Sequence, residues 1–506
     1  MKRAWLIGAG GYVLLVLSVN LAGFPGLHGD EAWFGLEALR IQGHGLTTAH
    51  GMNPYTGALF PWLLAEASRV LPPSVLTLRL PGVLLNTAAL LILLWSVERA
   101  AGRRRAILLF LLFGSSLLFL WLSRVAWEVT ALQPLLLAVM VAAVLDAGTR
   151  GRWTAPGITA FLLASELGVV NHLIFSAIPT SFLAAAVVVA GAGAGRRSPA
   201  TTESVWIGAL AVGSMFLALL VVWGLPDAIF TQWSGLVMAA LVAWPLAAAR
   251  WLRTCPPTLE RWLERARPRW LLAALLLGAV GFAALHGIAF VGTVADVLPM
   301  MRLASWAPAL PGTLLGYGWG LVVAGAFAAG ARETIRRLRR GTVLGTPDLV
   351  TLWALACMAA VALLTGRQSL RHYVLPSALL YLAVALSLPA YRRTTHLFGL
   401  IAALAFLAVN AVAWRGILYH TNRRPLRFRV GYGYEVSNHF IRLDALIRDL
   451  EARGICRTEA TFFIEEPLAF YRATRPWACA TDRVYRLRYC EDCPPWYVSL
   501  EPAGPP

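Results

Sequence analysis

The sequence predicts a mainly α-helical, polytopic membrane protein. Of its 506 residues, 58% are hydrophobic and only 14% are charged, a composition that excludes an ordinary soluble globular protein. Apolar runs of roughly 17 to 22 residues recur along the chain, each long enough to cross a hydrocarbon core of about 30 Å as a helix. The first run, Met1 to Gly23, has a basic start and no small-residue cleavage site. It predicts a retained span with a cytoplasmic N-terminus.

Hydropathy predicts about thirteen membrane-spanning helices. Two of them, 155–170 and 173–191, are separated only by Asn171 and His172, so one kinked or re-entrant element is the alternative there. The predicted spans are 4–23, 78–97, 106–122, 130–146, 155–170, 173–191, 204–222, 232–249, 270–290, 312–331, 347–365, 373–390 and 396–413.

The charges of the loops support the prediction that successive loops lie on alternate sides of the membrane. The net charge is +18, and every second loop holds a cluster of arginines, as the positive-inside rule requires of cytoplasmic loops. These clusters are Arg103–Arg105, Arg150 with Arg152, Arg196 with Arg197, Arg250–Arg269, the segment from Arg332, and Arg392 with Arg393. No nucleic-acid motif accompanies the basic charge, so no nucleic-acid partner is predicted. We expect an integral protein of a bacterial-type inner (plasma) membrane, with its C-terminus extracytoplasmic.

Two regions are too polar to be spans, and both are expected outside the cytoplasm. The first is the loop 24–77 within a transmembrane domain, 1–413, and the second is a C-terminal domain, 414–506. In this tail, "YEVSNHFIRLDALIRDLEARG" has helical apolar spacing and ends at Gly454. The next segment, "EATFFIEE", is typical of a strand. A small α/β domain is therefore predicted.

The tail holds four of the six cysteines, Cys456, Cys479, Cys490 and Cys493. In an oxidising compartment they predict two disulfides, with three connectivities that sequence does not distinguish. A zinc site is the alternative, although only "CEDC" has ligand-like spacing.

The first outer loop contains an acid pair, Asp30 and Glu31, at the start of "GDEAWFGLEALRIQG". Phe34, Ala38 and Ile41 follow at helical spacing, which predicts a short helix lying in the membrane interface. Asp30 is well placed to be its N-cap. Because adjacent helical residues diverge by about 100°, we expect one acid to serve chemistry and the other structure.

Further motifs share the predicted outer face: "LRLPGVLLN" from Leu78, "SRVAWEVT" from Ser123 and "RHYVLP" from Arg371. With the acid pair, they resemble motifs of the GT-C superfamily, in particular the protein O-mannosyltransferase and lipid A aminoarabinose transferase family (glycosyltransferase family 39-like). The resemblance covers residues 1 to about 413. Glu128 stands where many members carry Asp, and His372 is inserted between the Arg and Tyr of a late motif.

The resemblance implies a membrane glycosyltransferase that takes its sugar from a polyprenyl-phosphate-linked donor at the extracytoplasmic face. The acceptor would be a glycan, a lipid or a protein. Such a reaction needs a carboxylate base, cations for the leaving phosphate and an apolar groove for the prenyl tail. Asp30 is the predicted base or acceptor-positioning group, acting with inversion of configuration, and Glu31 is the second predicted catalytic residue.

Substrate binding is assigned to other residues of the same face. Glu128 is expected to orient the acceptor, and Arg371 to grip the donor phosphate. Snorkelling to the interface is the alternative for any one arginine. The other candidates are Arg124, His372, Tyr373, His172 and His50, with Arg302 and Arg367 as weaker ones. Asp30, Glu31 and His28 are candidate ligands for a divalent metal ion, but the outer histidines have no helical i,i+4 ligand spacing.

A polytopic transporter or flippase of a lipid-linked or small substrate is the main alternative. Against it, the sequence has no internal repeat, and its charges gather at one surface instead of the midplane. A structural or assembly protein of the membrane is the third hypothesis.

Overall fold

The structure is a computed structural model. It describes residues 4–23, 26–53, 55–192, 199–224, 227–252, 312–364, 372, 374–387, 427–430, 434–437, 443–460, 462–489 and 498–502. The spans predicted at 270–290 and 396–413 lie outside these residues, as do the predicted site residues Arg302, Arg367, Arg371 and Tyr373 and the cysteines Cys490 and Cys493.

Helices dominate the described chain. Up to residue 192 they are α1 (Ala4–Ser18), α2 (Gly29–His44), α3 (Leu59–Val70), α4 (Val75–Ala101), α5 (Arg103–Leu109), α6 (Leu117–Leu122), α7 (Glu128–Ala131), α8 (Gln133–Arg150), α9 (Ala155–Asn171) and α10 (Ala177–Ala192). Then follow α11 (Pro199–Gly224), α12 (Asp227–Leu252), α13 (Gly312–Arg339), α14 (Thr346–Leu364), α15 (Val374–Ser387), α16 (Asp444–Ala452) and α17 (Phe462–Thr474). Among the described residues, five helical segments are long and apolar enough to cross a membrane.

The span predicted at 106–122 is not one continuous helix. A π-helical turn, Phe110–Gly114, separates α5 from α6. Two serines explain the break: Ser115 Oγ donates to the carbonyl of Leu111 (2.6 Å), and Ser116 Oγ accepts from the N–H of Phe119 (3.3 Å) to cap α6. Serine side chains compete with the helical backbone in this way.

The adjacent spans around Asn171 and His172 are two separate helices, α9 and α10. His172 has an extended backbone (φ −164°, ψ 130°) that ends α9, and a 3₁₀ turn, Leu173–Ser176, leads into α10. The chain therefore makes a sharp corner at the residues that carry the polar side chains.

The first outer loop folds into α2 and α3, which pack on each other. The predicted helix is present, but its apolar positions face protein. Phe34, Ala38 and Ile41 are buried with Phe60 and Leu64 of α3 in one cluster. This apolar face therefore fixes α2 against the domain.

The tail combines helices and short strands, as predicted. Strands β1 (Arg427–Val430) and β2 (Tyr434–Ser437) pair antiparallel. In the second sheet, β4 (Thr481–Tyr489) lies between a parallel β3 (Ile455–Glu459) and an antiparallel β5 (Val498–Pro502).

The strand predicted for "EATFFIEE" is wrong. β3 ends at Glu459, and α17 begins at Phe462. The buried Ile464 and Leu468 are four residues apart, which places both on one face of a helix toward the core of the tail.

Candidate functional site

The start of α2 is held by a reciprocal cap. The N–H of Asp30 donates to His28 Nδ1 (3.0 Å), and the N–H of His28 donates to Glu31 Oε2 (3.1 Å). The N-cap is therefore His28, which corrects the prediction that Asp30 caps this helix. Because His28 Nδ1 accepts a hydrogen bond, it carries no proton. Its 3.8 Å approach to Asp30 Oδ1 is then not an ion pair.

Glu31 forms a buried ion pair with Arg79 of α4. Arg79 donates from Nε to Oε1 (2.8 Å) and from Nη2 to Oε2 (2.7 Å), and both side chains are 0% exposed. The N–H of Ala126 also donates to Oε1 (2.8 Å). Both carboxylate oxygens of Glu31 therefore have partners within the protein. Asp30, whose side chain is 16% exposed, is the acid of the pair that reaches solvent.

Two buried arginines bind backbone carbonyls at and beyond the end of α1. Arg79 donates to the carbonyls of Leu21 (2.9 Å) and Gly26 (3.0 Å). Arg124, also 0% exposed, donates to the carbonyls of residues 16, 17 and 19 at 2.7 to 3.0 Å. Carbonyls at a helix C-terminus need such partners. Arg124 therefore caps the end of α1.

A second group of polar side chains lies at the α9–α10 corner. Glu128, the first residue of α7, is 1% exposed, and its Oε1 lies 3.8 Å from Nε2 of the buried His172. The N–H of Ile174 donates to His172 Nδ1 (3.0 Å), so the neutral ring carries its proton on Nε2, toward Glu128. The His372 ring is 5.8 Å from that of His172. We call Glu128, His172 and His372 the acid–histidine cluster.

A short segment joins this cluster to the start of α2. Ala126 contacts Glu31 through its N–H, and the Trp127 ring meets the His28 ring edge-on, with centroids 5.1 Å apart. Glu128 follows directly in the chain. The structure therefore brings the predicted residues Glu128, His172 and His372 together and connects them to the acid pair through residues 126–128.

The first outer loop also reaches the cluster. The Tyr55 ring lies 5.2 Å from that of His172, and the N–H of Leu173 donates to the Tyr55 carbonyl (2.9 Å). The predicted residue His50 is paired antiparallel with Gly57 in the same loop. Tyr55 was not among the predicted site residues, because a turn was expected there.

Gly57 permits the closest approach of this loop to α9. Its N–H donates to the Asn171 carbonyl (3.2 Å), and a Cβ at this position would lie 1.8 Å from the Val170 carbonyl oxygen. We expect Gly57→Ala to destabilise the protein by at least about 1–3 kcal/mol, because backbone atoms on both sides must move.

The measurement is the thermal unfolding midpoint of the purified protein in detergent. Gly43→Ala is the matched control, since a Cβ there meets nothing within 4 Å. Equal midpoints for the two variants would contradict the expected clash.

Buried amides also hold the cluster in place. Asn171 Nδ2 donates to the carbonyl of Glu128 (2.8 Å), and Gln133 Nε2 approaches that of His172 (3.5 Å). Another fully buried acid, Glu166, lies within α9. None of these three residues was predicted as a site residue, although an ionisable group such as Glu166 inside an apolar span is a signal for a functional position.

The proposed metal ligands do not fit a metal ion as a set. Both Glu31 oxygens are bound to Arg79, and His28 Nδ1 accepts from the backbone. In the part of the chain that the structure describes, no group of three or more His, Cys, Asp or Glu side chains could hold a metal ion.

In the tail, Cys456 and Cys479, two of the four candidate cysteines, form a disulfide. It joins the start of β3 to the segment that precedes β4.

Neither a family model nor a curated protein sequence matches the chain. Solved structures do. The Archaeoglobus fulgidus oligosaccharyltransferase in its apo form has 16% identity, a TM-score of 0.50, and coverage of 83% of this chain and 56% of its own. The same enzyme tethered to an acceptor peptide has 14% identity, a TM-score of 0.50 and the same coverage. ArnT from Cupriavidus metallidurans, bound to undecaprenyl phosphate, has 16% identity and a TM-score of 0.35. The match covers 76% of this chain and 78% of ArnT.

The chain thus spans just over half the length of the oligosaccharyltransferase. At these identities the likeness concerns the arrangement of the helices. The oligosaccharyltransferase is a GT-C protein, and the sequence motifs around Asp30 resemble that superfamily independently. The protein is an integral membrane protein that has the GT-C fold.

Proposed function

We propose that this protein is a glycosyltransferase that moves a sugar from a polyprenyl-phosphate-linked donor to an acceptor at the extracytoplasmic face of the membrane. The observation that carries the proposal is the site geometry on a GT-C fold. One partly exposed acid, Asp30, lies in the first turn of a firmly held helix. Residues 126–128, which contact its neighbours Glu31 and His28, lead to the buried acid–histidine cluster. The motif resemblance supports the lipid-linked donor.

Asp30 acts on the acceptor in this mechanism. Its carboxylate takes the proton of the acceptor hydroxyl as the hydroxyl oxygen bonds to the anomeric carbon of the sugar. The bond from that carbon to the donor phosphate breaks, and the lipid phosphate leaves with the bonding electrons. Attack opposite the leaving group inverts the configuration. When the acceptor is itself an anionic phosphate, no proton is removed, and Asp30 positions the acceptor.

The remaining roles fall to residues around the cluster. Glu128 orients the acceptor, with the Nε2–H of His172 directed toward its carboxylate. His372 and Tyr55 border His172. Arg371, which precedes His372 in the chain, binds the donor phosphate, because a guanidinium matches two phosphate oxygens. Tyr373 is proposed to contribute to the same site.

The test is transfer by the purified protein in liposomes, with a panel of polyprenyl-phosphate-linked sugars and candidate acceptors. We expect one donor to be turned over, and we expect Glu128→Gln to lower kcat/KM by about 10²-fold through misplacement of the acceptor.

Glu66→Gln is the control for this substitution, since Glu66 of α3 is a partly exposed acid paired with Arg69. If the folded wild-type protein neither binds nor turns over any donor of the panel, the proposed function is wrong.

A further inference from the structure

The tail is docked onto the helix that carries the acid pair. Helix α17 packs against α2. Its Phe470 is 1% exposed, and the ring lies in the cluster built by α2, α3 and α4, with Phe34, Phe60 and Leu78, and not in the core of the tail itself. One aromatic side chain of the tail has thus become part of the membrane domain's packing.

The fit around this ring depends on a glycine. A Cβ on Gly35 would lie 2.4 Å from Phe470 Cε2 and 3.0 Å from Leu78 Cδ1. Gly35 therefore lets the ring pack directly against the backbone of α2. Gly35 is four residues after Glu31, on the same face of the helix, and Leu78 directly precedes Arg79. The ring thus lies at the α2–α4 junction, where the buried ion pair forms.

The tail holds α17 firmly from its other side. Ile464 and Leu468 are buried in the core of the tail with Ile447. The Cys456–Cys479 disulfide, with a sequence separation of 23, closes the loop of chain that contains the whole of α17. A closed loop restricts how far a helix can move away from its domain. A displacement of the tail would therefore pull on Phe470.

We propose that Phe470 is a positioning residue for catalysis: through its ring, the tail fixes α2 and sets the place of Asp30 relative to the substrates. This inference rests on the proposed function. Phe470 touches no substrate, and its effect passes through Gly35 and the Glu31–Arg79 pair to the start of α2. A tail that served only as an independent module would not need its aromatic ring in the cluster of α2.

The first experiment compares Phe470→Ala with Leu468→Ala. Both shorten a buried side chain of α17, but Leu468 packs in the tail's own core. We expect Phe470→Ala to lower kcat by on the order of 10²-fold with little change in KM, because Asp30 is misplaced while donor binding is kept. Hydrogen–deuterium exchange at residues 29–44 should become faster. Leu468→Ala should leave that exchange close to wild type and lower kcat much less.

The second experiment tests whether a double variant recovers the kcat that each single variant loses. Gly35→Ala alone should lower kcat, because its methyl group overlaps the Phe470 ring. In the double variant Gly35→Ala/Phe470→Ala, the methyl group fills part of the vacated space. We therefore expect a kcat above that of either single variant. Rescue of this kind would not follow from a general loss of stability in the tail.

The outcomes separate the two proposals. Unchanged exchange at residues 29–44 in Phe470→Ala, or equal effects of Leu468→Ala and Phe470→Ala on kcat, would overturn the positioning role. Absence of both donor binding and turnover in the folded wild-type protein would overturn the proposed function, and with it the catalytic part of this inference. The exchange measurement needs no substrate and tests the docking by itself.

Discussion

Replacing Asp30 by Asn is expected to reduce turnover by about 10²–10⁴-fold, the range for loss of a general base. The substitution keeps the size of the side chain, and the backbone N–H that donates to His28 is unaffected. The fold and the affinity for the lipid carrier should therefore be retained. The measurement pairs kcat of sugar transfer with binding of undecaprenyl phosphate as the probe.

Asp449→Asn is the matched control for this variant, because Asp449 is an exposed acid of the tail that pairs with Arg453. Its turnover should equal that of the wild type. If Asp30→Asn kept turnover within a few-fold of the wild type with a hydroxyl acceptor, Asp30 would not be the base.

Removing one partner of the Glu31–Arg79 pair is expected to destabilise the protein by about 3–5 kcal/mol, because the remaining charge stays buried without its partner. Glu31→Ala leaves the Arg79 guanidinium at 0% exposure, and Arg79→Ala leaves the Glu31 carboxylate in the same position. Each change also loosens the start of α2, since Glu31 accepts from the N–H groups of His28 and Ala126. The measurement is the free energy of unfolding in mixed micelles.

A double variant sharpens this prediction. In Glu31→Leu/Arg79→Met neither charge remains, and apolar side chains of similar size fill the space. We expect it to be more stable than either single alanine variant, because replacing a whole buried pair costs far less than breaking one. Three variants of equal stability would show that the pair contributes no charge–charge coupling.

The local pattern of apolar residues was sufficient to predict much of the fold. The apolar runs predicted separate helices on both sides of Asn171 and His172, and the spacing of Phe34, Ala38 and Ile41 predicted α2. These features depend on neighbours a few residues apart, which the sequence displays directly. The strand error at "EATFFIEE" has the same origin, because a short apolar run suits a strand as well as a buried helix turn.

The division of roles between Asp30 and Glu31 could not be predicted. The helical period predicts that two adjacent side chains point in different directions. It does not predict which of the two contacts a partner. That partner, Arg79, is 48 residues away in the sequence. The capping contacts of Arg124 could not be predicted for the same reason, because the carbonyls that it caps lie more than one hundred residues earlier. A charged side chain at a membrane edge has the same sequence signature whether it binds a substrate or a helix end.

The contact between Phe470 and Gly35 also has a consequence for biosynthesis. Helix α2 is synthesised more than four hundred residues before the Phe470 ring that completes its packing. The Gly35 face of α2 therefore lacks its Phe470 contact while the residues between them are being synthesised. A nascent or truncated chain without its tail has the acid pair but lacks the support that Phe470 gives to α2.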